Sequence, residues 1–348
     1  INYKIFLYAY SSIYKKKIFF LENLIFYLYF KCGIALGENL IINFNWKKNQ
    51  IKRLYTIKKS IFDQKIKLNR LKYLKKIDKN KKFKFLKIDI TNKYNLNKLK
   101  KYKIDYIVHL AAQAGVRHSI NKPEDYMKNN LLGFFNILEF SRFIKVKHLL
   151  FASTSSVYGN ESKKCKESFQ CNSPIQFYAA TKKSNELMAH SYSAIYKLPC
   201  TGLRFFTVYG PWGRPDMALF KFVKNIKKNK KIEVYNYGNH KRDFTYVKDI
   251  SRSIFGLISK VPKNKTPFEI FNIGNSKPVK LNDFIKEIEK NLNIKSKIKY
   301  LPLQKGDIPN TNSDSRKLYN KIKFKPKINY KTGIKNFVEW YERYYEKN

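Results

Sequence analysis

Tyr178 and Lys182 stand four residues apart in YAATK (178–182). On a helix, that spacing puts both side chains on one face. An ammonium beside a phenol favours the phenolate, so the pair predicts a tyrosine whose pKa Lys182 lowers toward neutrality. Such a phenol can act as general base toward an alcohol. Upstream, the apolar run Val146–Thr154 (VKHLLFAST) ends in a hydroxyl and continues into Ser155, Ser156, Val157, Tyr158 and Gly159. The Thr154 hydroxyl, at the end of a strand, is in the right place to share or relay that proton. YxxxK alone is a weak signal in a chain with 26 Tyr and 62 Lys. A strand ending in hydroxyls, then a loop, then YxxxK opening an apolar helix is much harder to reach by chance.

Four short apolar runs read as strands: Asp105–Ala112, Val146–Thr154, Cys200–Tyr209 and Phe268–Ile273. Each is nearly continuous in apolar residues, as a strand buried on both faces should be. Helical periodicity lies between them. Asp125–Phe143 carries Leu131, Phe134, Phe135, Leu138 and Phe140, and Ala179–Tyr196 carries Leu187, Met188, Ala189 and Tyr192. This alternation predicts an α/β fold with a doubly wound parallel sheet. The run Phe83–Ile88 (FKFLKI) reads as a further strand. After about residue 210 the rhythm changes. A helix over Asp216–Lys228, a strand over Ile232–Tyr235, a turn at Gly238 and a helix over Val247–Ser259 are expected. A last helix should start at Asn282, with that side chain as its cap. This half reads as a smaller α+β lobe closing over the carboxyl ends of the strands, where ligands of such folds sit.

Composition narrows the partners. The 348 residues suffice for two domains or one large α/β unit, and 43% hydrophobic with 28% charged residues supports a packed core. The net charge of +47 comes from 62 Lys and 10 Arg spread along the whole chain, among many Asn, Ile, Tyr and Phe. These are residues of adenine- and thymine-rich codons, so mutational bias accounts for the charge better than a nucleic-acid surface, which clusters Arg on one face. No nucleic-acid partner is expected, although the charge favours anionic ligands. No run reaches the roughly 18 apolar residues of a membrane span. Residues 18–30 come nearest and are broken by Glu22 and Asn23. Neither a membrane partner nor a signal peptide is expected. Cys32, Cys165, Cys171 and Cys200 show no CxxC spacing and no paired histidines, which predicts no metal site, no disulfide framework and a reducing cytoplasm.

Several longer segments resemble one family. HLAAQAGVR (109–117), ASTSSVYG (152–159), YAATKKSNELMAH (178–190), LRFFTVYGPWGRPDMALFKF (203–222) and VYNYGNHKRDFTYVKDI (234–250) are similar to the NAD-dependent sugar-nucleotide epimerases/dehydratases, the extended short-chain dehydrogenase/reductases. TVYGPWGRPDMA looks most like the UDP-glucuronate 4-epimerase branch. FNIGNSKPVKL, LPLQKGDIPNT and FVEWY continue the resemblance, which runs from about Phe62 to the end.

The resemblance implies a Rossmann-like fold in which 62–210 is the NAD-binding domain. Residues 211–348 would be mainly the UDP-sugar lobe, with some segments returning to the sheet, and 1–61 an atypical N-terminal segment. It implies Thr154, Tyr178 and Lys182 as the catalytic residues. Tyr178 would deprotonate the sugar 4-hydroxyl, Lys182 would hold the nicotinamide ribose, and a 4-keto sugar would turn over before reduction on its other face. Asp89, Ile90, Leu110, Ala111, Ala112, Gln113 and Phe205 would lie along the cofactor, with Asp89 near the adenine. Arg214, Thr207, Ser155 and Ser156 would approach the sugar carboxylate, a group that a guanidinium can hold bidentately. Arg242 would bind the diphosphate, Gln304 and Asp307 would close over the nucleotide, and Arg117 would serve the anionic end. Relatives often pair through a four-helix interface, so a homodimer through helices Asp125–Phe143 and Ala179–Tyr196 is implied. UDP-glucose/galactose 4-epimerisation is the neighbouring alternative.

One part of the family pattern is missing. The G-x-x-G-x-x-G turn that lets a backbone approach a pyrophosphate at a helix N-terminus does not occur in the chain. Only Gly33 and Gly37 precede residue 60. Placing Lys4–Tyr8 on the first strand puts Ala9, Ser12 and Lys15 where the glycines belong, and Glu38 near the expected ribose-binding acid. The first residue is Ile rather than Met. These features read as a displaced frame, a decayed gene or a misassigned start, and they raise the alternative of a non-catalytic sugar-nucleotide-binding homologue.

Overall fold

The computed structural model describes residues 6–9, 40–43, 64–78, 83–161 and 163–346. Ser12, Lys15 and Glu38 lie outside the described residues. Strands β1 (Phe6–Ala9) and β2 (Leu40–Asn43) form a parallel pair, with β1 alongside β3 (Tyr106–His109). The central sheet continues through β4 (His148–Thr154) and β5 (Cys200–Phe205) to β10 (Phe268–Ile273), all parallel, in the order β10-β5-β4-β3. Both β4 and β5 are buried along their whole length, as strands covered on two faces must be. One face packs Ile107, Leu149, Phe151 and Cys200 on Phe134, Ile137, Leu138 and Ala189. The other packs Val108, Leu150, Leu203 and Phe271 into a core shared with Phe220, Val234, Phe284, Phe337 and Trp340 from the C-terminal half. The fold is α/β with helices on both sides of a parallel sheet.

Several expected elements change. Asp105–Ala112 is strand only over Tyr106–His109. Cys200–Tyr209 divides, because after Phe205 the chain leaves the sheet and β6 (Thr207–Tyr209) pairs instead with β9 (Phe244–Tyr246). Phe83–Ile88 forms no ladder with any described strand. The C-terminal half is built from small pairs. Strand β7 (Ile232–Tyr235) lies parallel to β12 (Ile298–Leu301), and β8 (Lys241–Arg242) lies antiparallel to β11 (Val279–Lys280). The helix there starts at Leu281, not Asn282. Asn282 does not cap it, because it falls inside the helix, whose cap position is Lys280; its amide oxygen lies 2.6 Å from where a Cβ on Gly238 would be, and Gly238 (φ +84°) tolerates the contact by having none.

The expected helix over Asp125–Phe143 is three consecutive segments, with a π-helical stretch between two α-helical ones: Pro123–Tyr126 α-helical, Met127–Leu132 π-helical and Gly133–Phe143 α-helical. The wide π turn buries Asn129 and Asn130, and such turns concentrate at functional sites. Gly133 closes it against Ile90, whose side chain would lie 2.7 Å from a Cβ at that position. Phe135 points outward rather than into the core. The helix Phe177–Tyr196 buries Ala179, Thr181, Lys182, Asn185, Glu186, Ala189 and Ser193, while Leu187 is exposed. Its inner face is therefore mostly polar, an arrangement that costs free energy unless every group finds a partner.

Candidate active site

Two elements build the centre. Strand β4 delivers Thr154 at its last position, opposite Phe205 on β5. Thr154 has extended backbone and caps the short turn Ser155–Tyr158: its Oγ1 accepts from Ser156 N at 3.2 Å and donates to Ser156 Oγ at 3.2 Å. The helix Phe177–Tyr196 crosses the strand end and brings half-buried Tyr178 beside Thr154, whose hydroxyl favours its phenolate. One turn further, Lys182 is buried and its Nζ donates to Ala152 O at 2.9 Å. The three predicted catalytic residues converge on one strand end.

Their electrostatics correct one expectation. Burial raises the Tyr178 pKa, opposed by the neighbouring Thr154 hydroxyl and the charge of Arg214. Lys182 is not among the groups that lower it. The physical reason is that the ammonium is turned to Ala152 O and is itself desolvated, which pulls its pKa down to about 7. The acidifying influences on the phenol in the free protein are Thr154 and Arg214.

Sequence reading missed the residues that fasten this helix. The Asn130 side chain, presented by the π turn, accepts from Gln113 N at 2.7 Å and donates to Gln113 O and to Thr181 Oγ1, each at 3.0 Å. Thr181 Oγ1 in turn donates to the carbonyl of Tyr178 at 2.8 Å. Asn185 completes the bracket, its amide nitrogen donating to Thr181 O and Asn130 O. Tyr126 packs edge-on to Tyr178 at 6.1 Å, and its hydroxyl donates to Gly115 O at 2.5 Å. A π turn leaves no mark on hydrophobic periodicity. In the sequence its trace is the adjacent pair Asn129 and Asn130 beside the apolar run Leu131–Phe135 (LLGFF).

Arg214 lies at the same mouth, 3.5 Å from the position a Cβ on Gly115 would take. It forms a two-point ion pair with Asp216, at 2.9 and 2.5 Å. Ser155 and Ser156, next in chain to Thr154, and Thr207 are half-buried, with Thr207 N donating to Asp243 O at 3.1 Å. A second group gathers around the segment after β12. Arg117 pairs with Asp307 at 3.7 Å and lies over the Tyr235 ring at 4.9 Å. Asp307 N donates to Gln304 O at 3.0 Å, and Gln176 Nε2 donates to Gly306 O at 2.5 Å. The guanidinium of half-buried Arg242 feels the charge of Asp307 but has no hydrogen-bond acceptor among the described residues. The buried Oε1 of Gln304 likewise lacks a donor.

The expected cofactor residues are placed less uniformly. Leu110, Ala112 and Gln113 are buried at the end of β3, Ala111 is half-buried beside them, and Phe205 is buried opposite Thr154. Ile90 is buried and its carbonyl accepts from Asn136 at 2.7 Å. Asp89 folds back on its own turn, accepting from Thr91 N at 2.9 Å and Thr91 Oγ1 at 2.8 Å. At the strand ends, the buried Lys182 ammonium has one acceptor for its three donors, and neither ring nitrogen of buried His109 has a partner. Unspent donors at the carboxyl ends of parallel strands suit a polar ribose-bearing group.

The family model described as "NAD dependent epimerase/dehydratase family" matches residues 56–274. The chain belongs to that family. It is 48% identical over 290 residues to "Protein CapI" of Staphylococcus aureus, covering 79% of this chain and 86% of that protein. It is 45% identical over 260 residues to a "Probable UDP-glucuronate 4-epimerase" of Rhizobium meliloti, covering 70% and 76%. Among solved structures, the UDP-glucuronic acid 4-epimerase of Bacillus cereus, in complex with UDP-glucuronic acid and NAD, superposes with a TM-score of 0.76 at 30% identity, covering 82% of this chain and 88% of that one.

Proposed function

We propose that this family member inverts carbon 4 of a UDP-sugar with tightly held NAD, and that its substrate is UDP-glucuronate, converted to UDP-galacturonate. The observation that carries this reading is the convergence of Thr154, Tyr178 and Lys182 at the end of β4. The Rhizobium meliloti relative, by its name, and the Bacillus cereus enzyme with its bound UDP-glucuronic acid and NAD support the substrate, and the latter the cofactor. Bound NAD supplies reversible oxidation at C4. The chain's own groups handle the proton and the anion. Tyr178 Oη takes the proton from the sugar 4-hydroxyl and returns it to the 4-keto sugar after that sugar has turned its other face. Thr154 holds the reacting oxygen and shares the proton, and the spare donors of Lys182 hold the ribose. Arg242, freed of competing acceptors, binds the diphosphate, and Gln304, Asp307 and Arg117 close over the nucleotide.

Arg214 decides between acid and neutral sugar. Its fork is already occupied by Asp216, so the sugar carboxylate must displace or share that partner. A neutral hexose would leave the pair intact, which favours UDP-glucose as the second reading. Incubation with UDP-glucuronate and, separately, UDP-glucose, with product analysis, separates the two. NAD released on denaturing the purified protein tests whether a chain without G-x-x-G-x-x-G retains the cofactor. No release and no rescue by added NAD would point to a binding protein without turnover.

Two coarser features complete the proposal. Leu132, Phe135, Phe143, Leu187 and Ile195 are exposed on the helices Gly133–Phe143 and Phe177–Tyr196 and their lead-in turn, an apolar surface suited to a second copy. Sedimentation should give a dimer. Among the described residues no helix is long and apolar enough to cross a membrane. Cys165, Cys171 and Cys200 are free thiols, consistent with the cytoplasm as the place of action.

A further inference from the structure

Beneath the reaction centre lies a buried polar row that the proposed chemistry does not use. Ser153, Arg204 and Asn272 stand opposite one another on β4, β5 and β10, one residue below Thr154, Phe205 and Ile273. Arg204 and Glu186 are 1% and 2% exposed. Arg204 grips both carboxylate oxygens of Glu186, Nε to Oε1 and Nη2 to Oε2, at 2.8 Å each. Its Nη1 donates to Tyr158 Oη at 2.9 Å, and Tyr158 Oη donates to Asn272 Oδ1 at 2.7 Å. Ser153 Oγ donates to Glu186 Oε1 at 2.6 Å. Glu186 is one helical turn beyond Lys182 and two beyond Tyr178. The helix therefore meets the end of β4 at two bonded rungs, Lys182 on Ala152 O and Glu186 on Ser153, and these carry Tyr178 beside Thr154.

We infer that Glu186, held by Arg204, is a positioning residue: it fixes the height and rotation of the helix on β4 and so sets the Tyr178–Thr154 contact. A buried two-point ion pair with defined angles specifies one arrangement, where an apolar contact would let the helix slide. A fastening role of this kind rests on the proposed epimerase reading for its turnover test, but not for its titration test. Glu186→Gln should lower kcat by about 100-fold, the scale of a misplacement near 1 Å, with KM for the UDP-sugar unchanged. That variant strands the buried Arg204 charge and can fail to fold. Ser153→Ala is the milder test, since it removes one hydroxyl and leaves the ion pair. It should lower kcat by about 10-fold, leave KM and NAD content in place, lower the unfolding temperature by only several degrees, and move the Tyr178 phenol titration upward, read as the ultraviolet difference between each protein and its Tyr178→Phe counterpart. Ser153→Thr, which keeps the hydroxyl, should restore both readouts. An unchanged phenol titration with unchanged kcat in Ser153→Ala overturns the inference. No turnover in the unmodified protein counts against the epimerase reading instead, and the titration still decides this one.

Discussion

The two ends of the candidate site are built on opposite principles. At the reaction end, Thr154, Lys182, Asn130, Thr181 and Glu186 are buried or nearly so and bonded to one another or to strand carbonyls. At the end proposed to bind the phosphates, the Arg242 guanidinium has no bonded acceptor among the described residues, and Arg117 is half exposed in a long ion pair. The contrast teaches where binding energy is spent. Proton chemistry needs a fixed geometry before substrate arrives, so its groups are fastened by protein. Anion recognition needs donors that the protein leaves unsatisfied until the ligand satisfies them.

If that division holds, substitutions at the two ends should fail differently. Tyr178→Phe removes the proton carrier and should lower kcat by about 10³-fold while leaving bound NAD and substrate affinity, measured by calorimetry, nearly unchanged. Lys182→Met should also lose turnover, and its stability should carry a signature. In the folded protein the Lys182 pKa is near 7, below its unfolded value. Between about pH 7 and 10.5 the unfolded chain binds the extra proton, so this group adds stability as pH rises through that window, and its penalty is complete below it. The variant should therefore gain most over the parent below pH 7, by several kcal/mol at most, with the gain fading toward pH 10 in urea midpoints measured across pH.

The phosphate end should answer in KM. Arg242→Ala should raise KM for the UDP-sugar by about 10- to 100-fold, the value of a charge-assisted bond, with kcat close to the parent's. Steady-state kinetics that instead showed a kcat loss would erase the distinction between the two ends. Arg117→Ala breaks an exposed pair at 3.7 Å and should cost only about 2- to 5-fold in KM.

Much of this was legible in the sequence because chemistry and topology leave marks there. The hydroxyl-ended strand and YxxxK identified three residues that the fold does bring together, and near-continuous apolar runs placed all four central strands. What escaped was geometry set by tertiary contacts. The π turn at Met127–Leu132 hid Asn130, because a change of helical pitch does not alter which residues are apolar. The Arg204–Glu186 pair was hidden because two charged residues 18 positions apart look like surface residues until strand and helix are superposed. The expected acidifying role of Lys182 failed because spacing shows which face a side chain occupies but not which acceptor it turns to.

The most direct test of the account is product analysis after incubating the purified chain, with NAD supplied, on UDP-glucuronate, beside its Tyr178→Phe variant. The account predicts UDP-galacturonate approaching an equilibrium mixture with the parent chain and almost none with the variant. Equal conversion by both proteins would contradict it, as would no conversion of UDP-glucuronate by a parent chain that holds NAD.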